Sequence, residues 1–174
     1  FDSPLSRLLE EPGSSEDSHT FTFDVTPDDS LEAGTQVAIG IQGRAGSEIG
    51  CEKVLTVTVG QEFGASMSLS KSRLSNVEPG TSGTLSIQIT NQGNGQETMA
   101  LGTSGVPPGW QVSFSQSTVT LGSSQSSNNK ETVSVDIFVP EDASAESDTV
   151  ISFTVGRGGG TTPYDSKDLT VSVA

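Results

Sequence analysis

Apolar and polar residues alternate along most of this chain, and helical spacing is nearly absent. Met67 and Leu69, then Leu85, Ile87 and Ile89, then Val133, Val135, Ile137 and Val139 stand two apart. Ile151, Phe153 and Val155 follow, and Leu169, Val171 and Val173 close the chain in the same way. A period of two puts one set of side chains on one sheet face and the intervening residues on the other. Short strands of this kind, separated by turn signals, predict a β-sandwich. The turn signals are Pro79-Gly80, Asn91-Gln92-Gly93-Asn94-Gly95, Pro107-Pro108-Gly109 and a Ser/Asn-rich stretch over 123–129. Asn-Gly takes positive φ at low cost, so 91–95 is expected to close a hairpin. Residues 3–11, SPLSRLLEE, are the one candidate helix, with Pro4 at its start.

The pattern occurs twice. Residues 19–59 and 131–173 each hold an alternating strand ending at a proline, Pro27 or Pro140. An acidic pair follows, Asp28-Asp29 or Glu141-Asp142, then a second strand running to Gly43-Arg44 or Gly156-Arg157, a loop and a closing strand. The later copy is preceded by further strands from residue 66 onward. Phe1 lies about where Phe114 lies in the later copy, so the equivalents of 66–110 are missing from the first. The expected organisation is therefore a partial module over 1–62 and a complete one over 63–174, joined near Gly60–Gly64. Three strands are expected in 19–59, with Phe21, Phe23, Val25, Val37, Ile39, Ile41, Leu55, Val57 and Val59 facing inward. Half a sandwich leaves such a face without cover. The chain is then either a fragment of a longer tandem array or a subunit completed by strands donated from a neighbour, as in pilin assembly.

Composition narrows the classes. Eight Lys and Arg stand against 22 Asp and Glu, for a formal net charge of -14. That field repels phosphate backbones and anionic membranes, so nucleic acid is not an expected partner. No apolar run approaches the ~18 residues of a membrane span, so direct membrane insertion is not expected. Only 31% of residues are hydrophobic, which suits the thin core of a sandwich. No signal-peptide pattern is visible at Phe1-Asp2-Ser3-Pro4, so the chain reads as starting after processing or as a fragment. Cys51 is the only cysteine; it is a candidate for an intermolecular disulfide, or a free thiol.

The residues offer little catalytic chemistry. His19 is the only histidine, and no G-x-S-x-G elbow accompanies it. One His and one Cys cannot make a zinc site of the usual kind. The adjacent carboxylates of Asp28-Asp29 and Glu141-Asp142 point apart, which does not suit glycoside hydrolysis. They remain weak calcium candidates should Asp24 and Glu32, or Asp136, Glu146 and Asp148, converge with them; otherwise no cofactor is expected. Gly156-Arg157-Gly158-Gly159-Gly160 resembles a phosphate loop only superficially, since no helix is expected after it. Trp110 is a candidate sugar-stacking platform or a packing residue.

Residues 66–173 resemble the CARDB-like and alpha-galactosidase-associated immunoglobulin-like modules of archaeal and bacterial surfaces. The resemblance is carried by Pro79-Gly80, by Thr90-Asn91-Gln92-Gly93, by Pro107-Pro108-Gly109-Trp110-Gln111-Val112 and by Val139-Pro140 with its acidic loop. Residues 19–60 resemble the trailing half of the same module. The resemblance implies an all-β chain of tandem immunoglobulin-like β-sandwiches, the first incomplete within this chain. It implies a non-enzymatic structural or adhesion protein of the extracellular cell surface, with neighbouring copies or adjacent modules as partners. The alternatives are a strand-complemented, pilin-like filament subunit and a carbohydrate-binding accessory module of a secreted hydrolase, for which a glycan would be the ligand.

Overall fold

The computed structural model describes Gly13 and residues 18–174, and these contain strands and loops only. The candidate helix over 3–11 lies outside the described residues. Alternation becomes strand wherever a neighbouring strand is present to take the backbone N–H and C=O groups, which cannot be left unpaired when buried. That condition is met throughout residues 65–173. Nine strands form there: β3 (Ala65–Leu69), β4 (Arg73–Val77), β5 (Ser82–Asn91), β6 (Glu97–Ser104), β7 (Gln111–Phe114), β8 (Thr118–Leu121), β9 (Lys130–Phe138), β10 (Asp148–Arg157) and β11 (Pro163–Val173). They divide into a sheet in the order β4-β11-β10-β6-β8 and a second in the order β3-β5-β9-β7. All neighbours are antiparallel except β4 and β11, which run parallel.

The alternating residues of both sheets meet between them. Ile87, Ile89, Val133, Val135 and Ile137 face Ile151, Phe153, Leu169 and Val171, all wholly buried. Phe114 meets Phe153 edge-on, with centroids 6.1 Å apart, the preferred aromatic geometry. This is an immunoglobulin-like β-sandwich, and the all-β reading of the sequence holds.

Two further strands precede it, β1 (Gln36–Ala45) and β2 (Glu48–Thr58), paired only with each other. They are the structural counterpart of β10 and β11. Ile39 stands opposite Leu55 as Ile151 stands opposite Leu169. The register slips between Gly43 and Arg44 in β1, and between Val155 and Gly156 in β10. The segment leading in is also the same: Val59 N–H donates to the carbonyl of Thr35 at 2.9 Å, and Val173 N–H to that of Ser147 at 3.0 Å. Gly34 (φ 83) and Glu146 (φ 57) share one left-handed position. This correspondence sits one residue away from the alignment on Pro27 and Pro140, because ladder geometry and the left-handed corner fix the register rather than the prolines.

The structure corrects two local expectations. Residues 18–27 form no strand, although Phe21, Phe23 and Val25 have the spacing of Val133, Val135 and Ile137. In the complete copy that spacing becomes β9 because β5 and β7 flank it; nothing equivalent flanks 18–27 among the described residues. Residues 91–95 do not close a hairpin either. β5 and β6 belong to different sheets, so the segment crosses the sandwich end, and neither Gly93 nor Gly95 has positive φ.

Candidate interaction surfaces

The crossing at 91–95 is built around a buried asparagine. Asn91 ends β5 with its side chain turned inward. Its Nδ2 donates to the carbonyls of Gly95 at 2.9 Å and Gly122 at 2.7 Å, and its Oδ1 accepts the Gly93 N–H at 2.8 Å. Its polar atoms are thus satisfied, as burial requires. The loop so fixed receives the segment arriving from β2. Asn94 takes the Glu62 N–H on Oδ1 at 2.8 Å and donates Nδ2 to the Gly60 carbonyl at 2.9 Å. Gln92 N–H donates to the Gly64 carbonyl at 2.8 Å, and Gln61 Nε2 to the Gln96 carbonyl at 3.1 Å.

A second grip holds the segment that enters β1, beside the exit of β2 at the same open end of the hairpin. Ala33 N–H donates to the Asn94 carbonyl at 2.9 Å, and Ser123 Oγ to Glu32 Oε1 at 2.6 Å. The Arg157 guanidinium lies 4.3 Å from the centre of the Phe63 ring, within cation–π range. The glycines are there for close approach. A Cβ on Gly93 would collide with the Glu62 carbonyl oxygen, and one on Gly95 would come within 3.1 Å of Ala33 Cβ. A small recess of about 300 Å³ opens at this joint between Glu32, Ala33, Gly95, Ser123 and Asn128. The sequence signal read as a turn was therefore a joint, and only the density of small and amide residues pointed to it.

The second surface is the inward face of the hairpin. Val37, Ile41 and Leu55 are 39–43% exposed there, and Ile39 and Val57 are half-buried. Phe21, Phe23 and Val25, in the strandless stretch ahead of the hairpin, are 37–43% exposed. Only Val59, beside the joint, is buried. Cys51 is exposed on this face, opposite Gly43. Its counterpart in the complete copy is Asp165, whose Oδ2 accepts the Met67 N–H from β3 at 2.8 Å and whose Oδ1 takes Lys167 Nζ at 3.0 Å. Burial alone would raise the Asp165 carboxyl, but these donors, with the Ser166 N–H, outweigh it and hold the carboxyl below its usual range.

The remaining candidates lie apart. Asp28 accepts the Ser30 hydroxyl and its N–H, which lower its carboxyl pKa; this is a local turn, with Asp29 exposed beside it. Glu141 packs near Gly80, and Asp142 is exposed in the turn after Pro140. Asp148 is lowered by its hydrogen bond from Arg73, at 2.6 Å. The acidic residues named for calcium do not converge: among the described residues no three His, Cys, Asp or Glu form a metal-holding group. Trp110 is half-buried and packs against the core. His19 is exposed, with its ring 4.8 Å from that of Phe21. Sequence reasoning missed one polar pair. Glu97, buried in β6, accepts the Tyr164 hydroxyl at 2.6 Å on Oε1. Burial first, and then this carboxylate, push the Tyr164 phenol up to about 12.

No protein-family model matches the chain, and no curated protein matches it. Solved structures with similarity include domains 4 and 5 of the S-layer protein SbsC, 19% identical over 70% of this chain and 59% of that one, with a TM-score of 0.41. A family 123 glycoside hydrolase from Clostridium perfringens is 9% identical over 63% of this chain, with a TM-score of 0.48. PapD-like domain 7 of human CEP192 is 13% identical over 62% of this chain and 84% of that domain, with a TM-score of 0.39. The chain spans about a quarter of the hydrolase, 27%.

Proposed function

We propose that this chain is a structural element of an extracellular surface array, built from tandem CARDB-like immunoglobulin-like modules, and that it has no catalytic role. The observation that carries this reading is the joint. Asn94 at Gly60 and Gln92 at Gly64 hold the segment between two copies of one motif at both of its ends, which is what a spacer of fixed geometry requires. The acidic surface fits such a role, since like charge keeps neighbouring arrays apart. The partners of each module are then its neighbours in the array.

Antibodies raised against the chain and applied to intact cells of the source organism test location, and a glycan array tests the rival accessory role. The expected result is labelling of unpermeabilised cells without glycan binding. Labelling that appears only after permeabilisation overturns the surface reading. Glycan binding that disappears in a folded Trp110→Ala variant overturns the structural one in favour of the accessory module.

A further inference from the structure

The chain contains its own description of what covers the β1–β2 hairpin. In the complete copy β6 runs antiparallel along β10 from Ser152 to Arg157, and β4 runs parallel along β11 at Thr170, Val171 and Val173. No strand pairs along the matching edges of β1 and β2 among the described residues. Leu169 and Phe153 are wholly buried, whereas their counterparts Leu55 and Ile41 are 43% and 42% exposed. The same motif therefore occurs once with its complement and once without it. An apolar face bounded by two open strand edges selects strands, which satisfy backbone and side chains together.

A second copy of this chain does not supply the complement. Each chain holds one β3–β6 segment and two hairpins of this type, and exchange between identical chains conserves that ratio. Every hairpin covered in trans uncovers another. Residues 1–17 extend at most ~60 Å, too little for four paired strands. We infer that the β1–β2 face is a docking surface for a four-stranded segment of the β3–β6 type contributed by polypeptide outside these 174 residues. One of its strands enters parallel to β2 and another antiparallel to β1. Its first strand lies over Cys51, as β3 lies over Asp165. The inference deepens the structural reading above, resting on its repetition of modules rather than on its location, so the two fail separately.

The test adds a second copy of residues 61–113 ahead of Phe1 in the full chain and follows the reaction of Cys51, the sole thiol, with a disulfide reagent. The expected result is a rate at least ~10-fold lower than in the unextended chain, with slowed amide exchange across 36–58. Ile41→Asp with Leu55→Asp restores the fast rate in the extended chain and leaves the unextended chain unchanged. Equal Cys51 rates with and without the added segment overturn the inference. So does a dimer of the unextended chain in which Cys51 is already shielded, since a second copy then suffices. Should the extended chain misfold, a synthetic peptide of residues 97–106 titrated into the unextended chain replaces it. Slowed amide exchange over 40–45 is then expected, and no slowing at millimolar peptide counts against the inference.

Discussion

Leu169 and Leu55 are the same residue in the same register, each opposite an isoleucine, Ile151 or Ile39. One is wholly buried and the other 43% exposed, so truncating each to alanine isolates the effect of cover. Leu169→Ala removes buried methylenes and leaves a cavity between two packed sheets, for a cost of roughly 2–5 kcal/mol. Leu55→Ala opens no cavity, because that side chain already meets water, and removes only the partial burial it has, about 1 kcal/mol or less. Urea unfolding followed by Trp110, the only tryptophan, reads the sandwich. With an m-value of roughly 1.5 kcal/mol/M, Leu169→Ala shifts the midpoint by about 1.3–3.3 M, and Leu55→Ala leaves it in place. Amide exchange over 36–58 reads the hairpin, and there Leu55→Ala accelerates exchange by less than ~10-fold. Acceleration by two decades or more would refute the reasoning, since it would mean that Leu55 sits under cover as complete as that of Leu169.

Four further outcomes are expected. Asn91→Ala strands the carbonyls of Gly95 and Gly122 at the sandwich end and lowers stability by roughly 2–4 kcal/mol, measurable in the same urea assay. Glu146→Gly relieves a left-handed non-glycine corner, which the first copy fills with Gly34, and raises stability by up to ~1 kcal/mol. Asp165 has a folded pKa below its unfolded value of 3.8, so its contribution is fully present above about pH 4 and is lost as pH falls through the folded value; the acid limb of stability should be shallower in Asp165→Asn. Tyr164, the only tyrosine, should titrate near 12 in its ultraviolet absorbance, lower in Glu97→Gln; because its folded value is raised, its contribution holds below about pH 10 and disappears as pH rises through about 12.

Much of the sandwich was legible because alternation is a local record of which face each residue presents. Ile87, Ile89, Val133, Val135 and Ile151 lie inside as their spacing requires. What alternation does not record is whether a partner strand exists. Phe21, Phe23 and Val25 carry the pattern of β9 and form no strand, since pairing depends on residues far away in the chain. The segment 91–95 misled for a related reason. Asn-Gly can close a hairpin, but whether it does depends on which sheet the next strand joins. Here Glu97 opens a strand beside β8 and β10 rather than beside β5. The joint is almost wholly illegible, since backbone carbonyls supply most of its acceptors and carry no sequence signature. The acidic pairs were readable as charge, but only coordinates reveal that Asp28 bonds within its own turn while Glu32 reaches Ser123.

The joint also determines how a load would travel. A single covalent link leaves two bodies free to swivel, but several hydrogen bonds side by side across one gap restrict that freedom. Here Ala33 is held by Asn94, and the stretch from Gly60 to Gly64 is held by Asn94, Gln96 and Gln92. Bodies connected by a repeated fixed rotation and advance trace a screw whose pitch is set by the connector rather than by the bodies. In the array proposed above, modules joined in this way would bend little and would resist torsion. Under tension the fasteners at each joint would share the pull, because they lie side by side across the same gap.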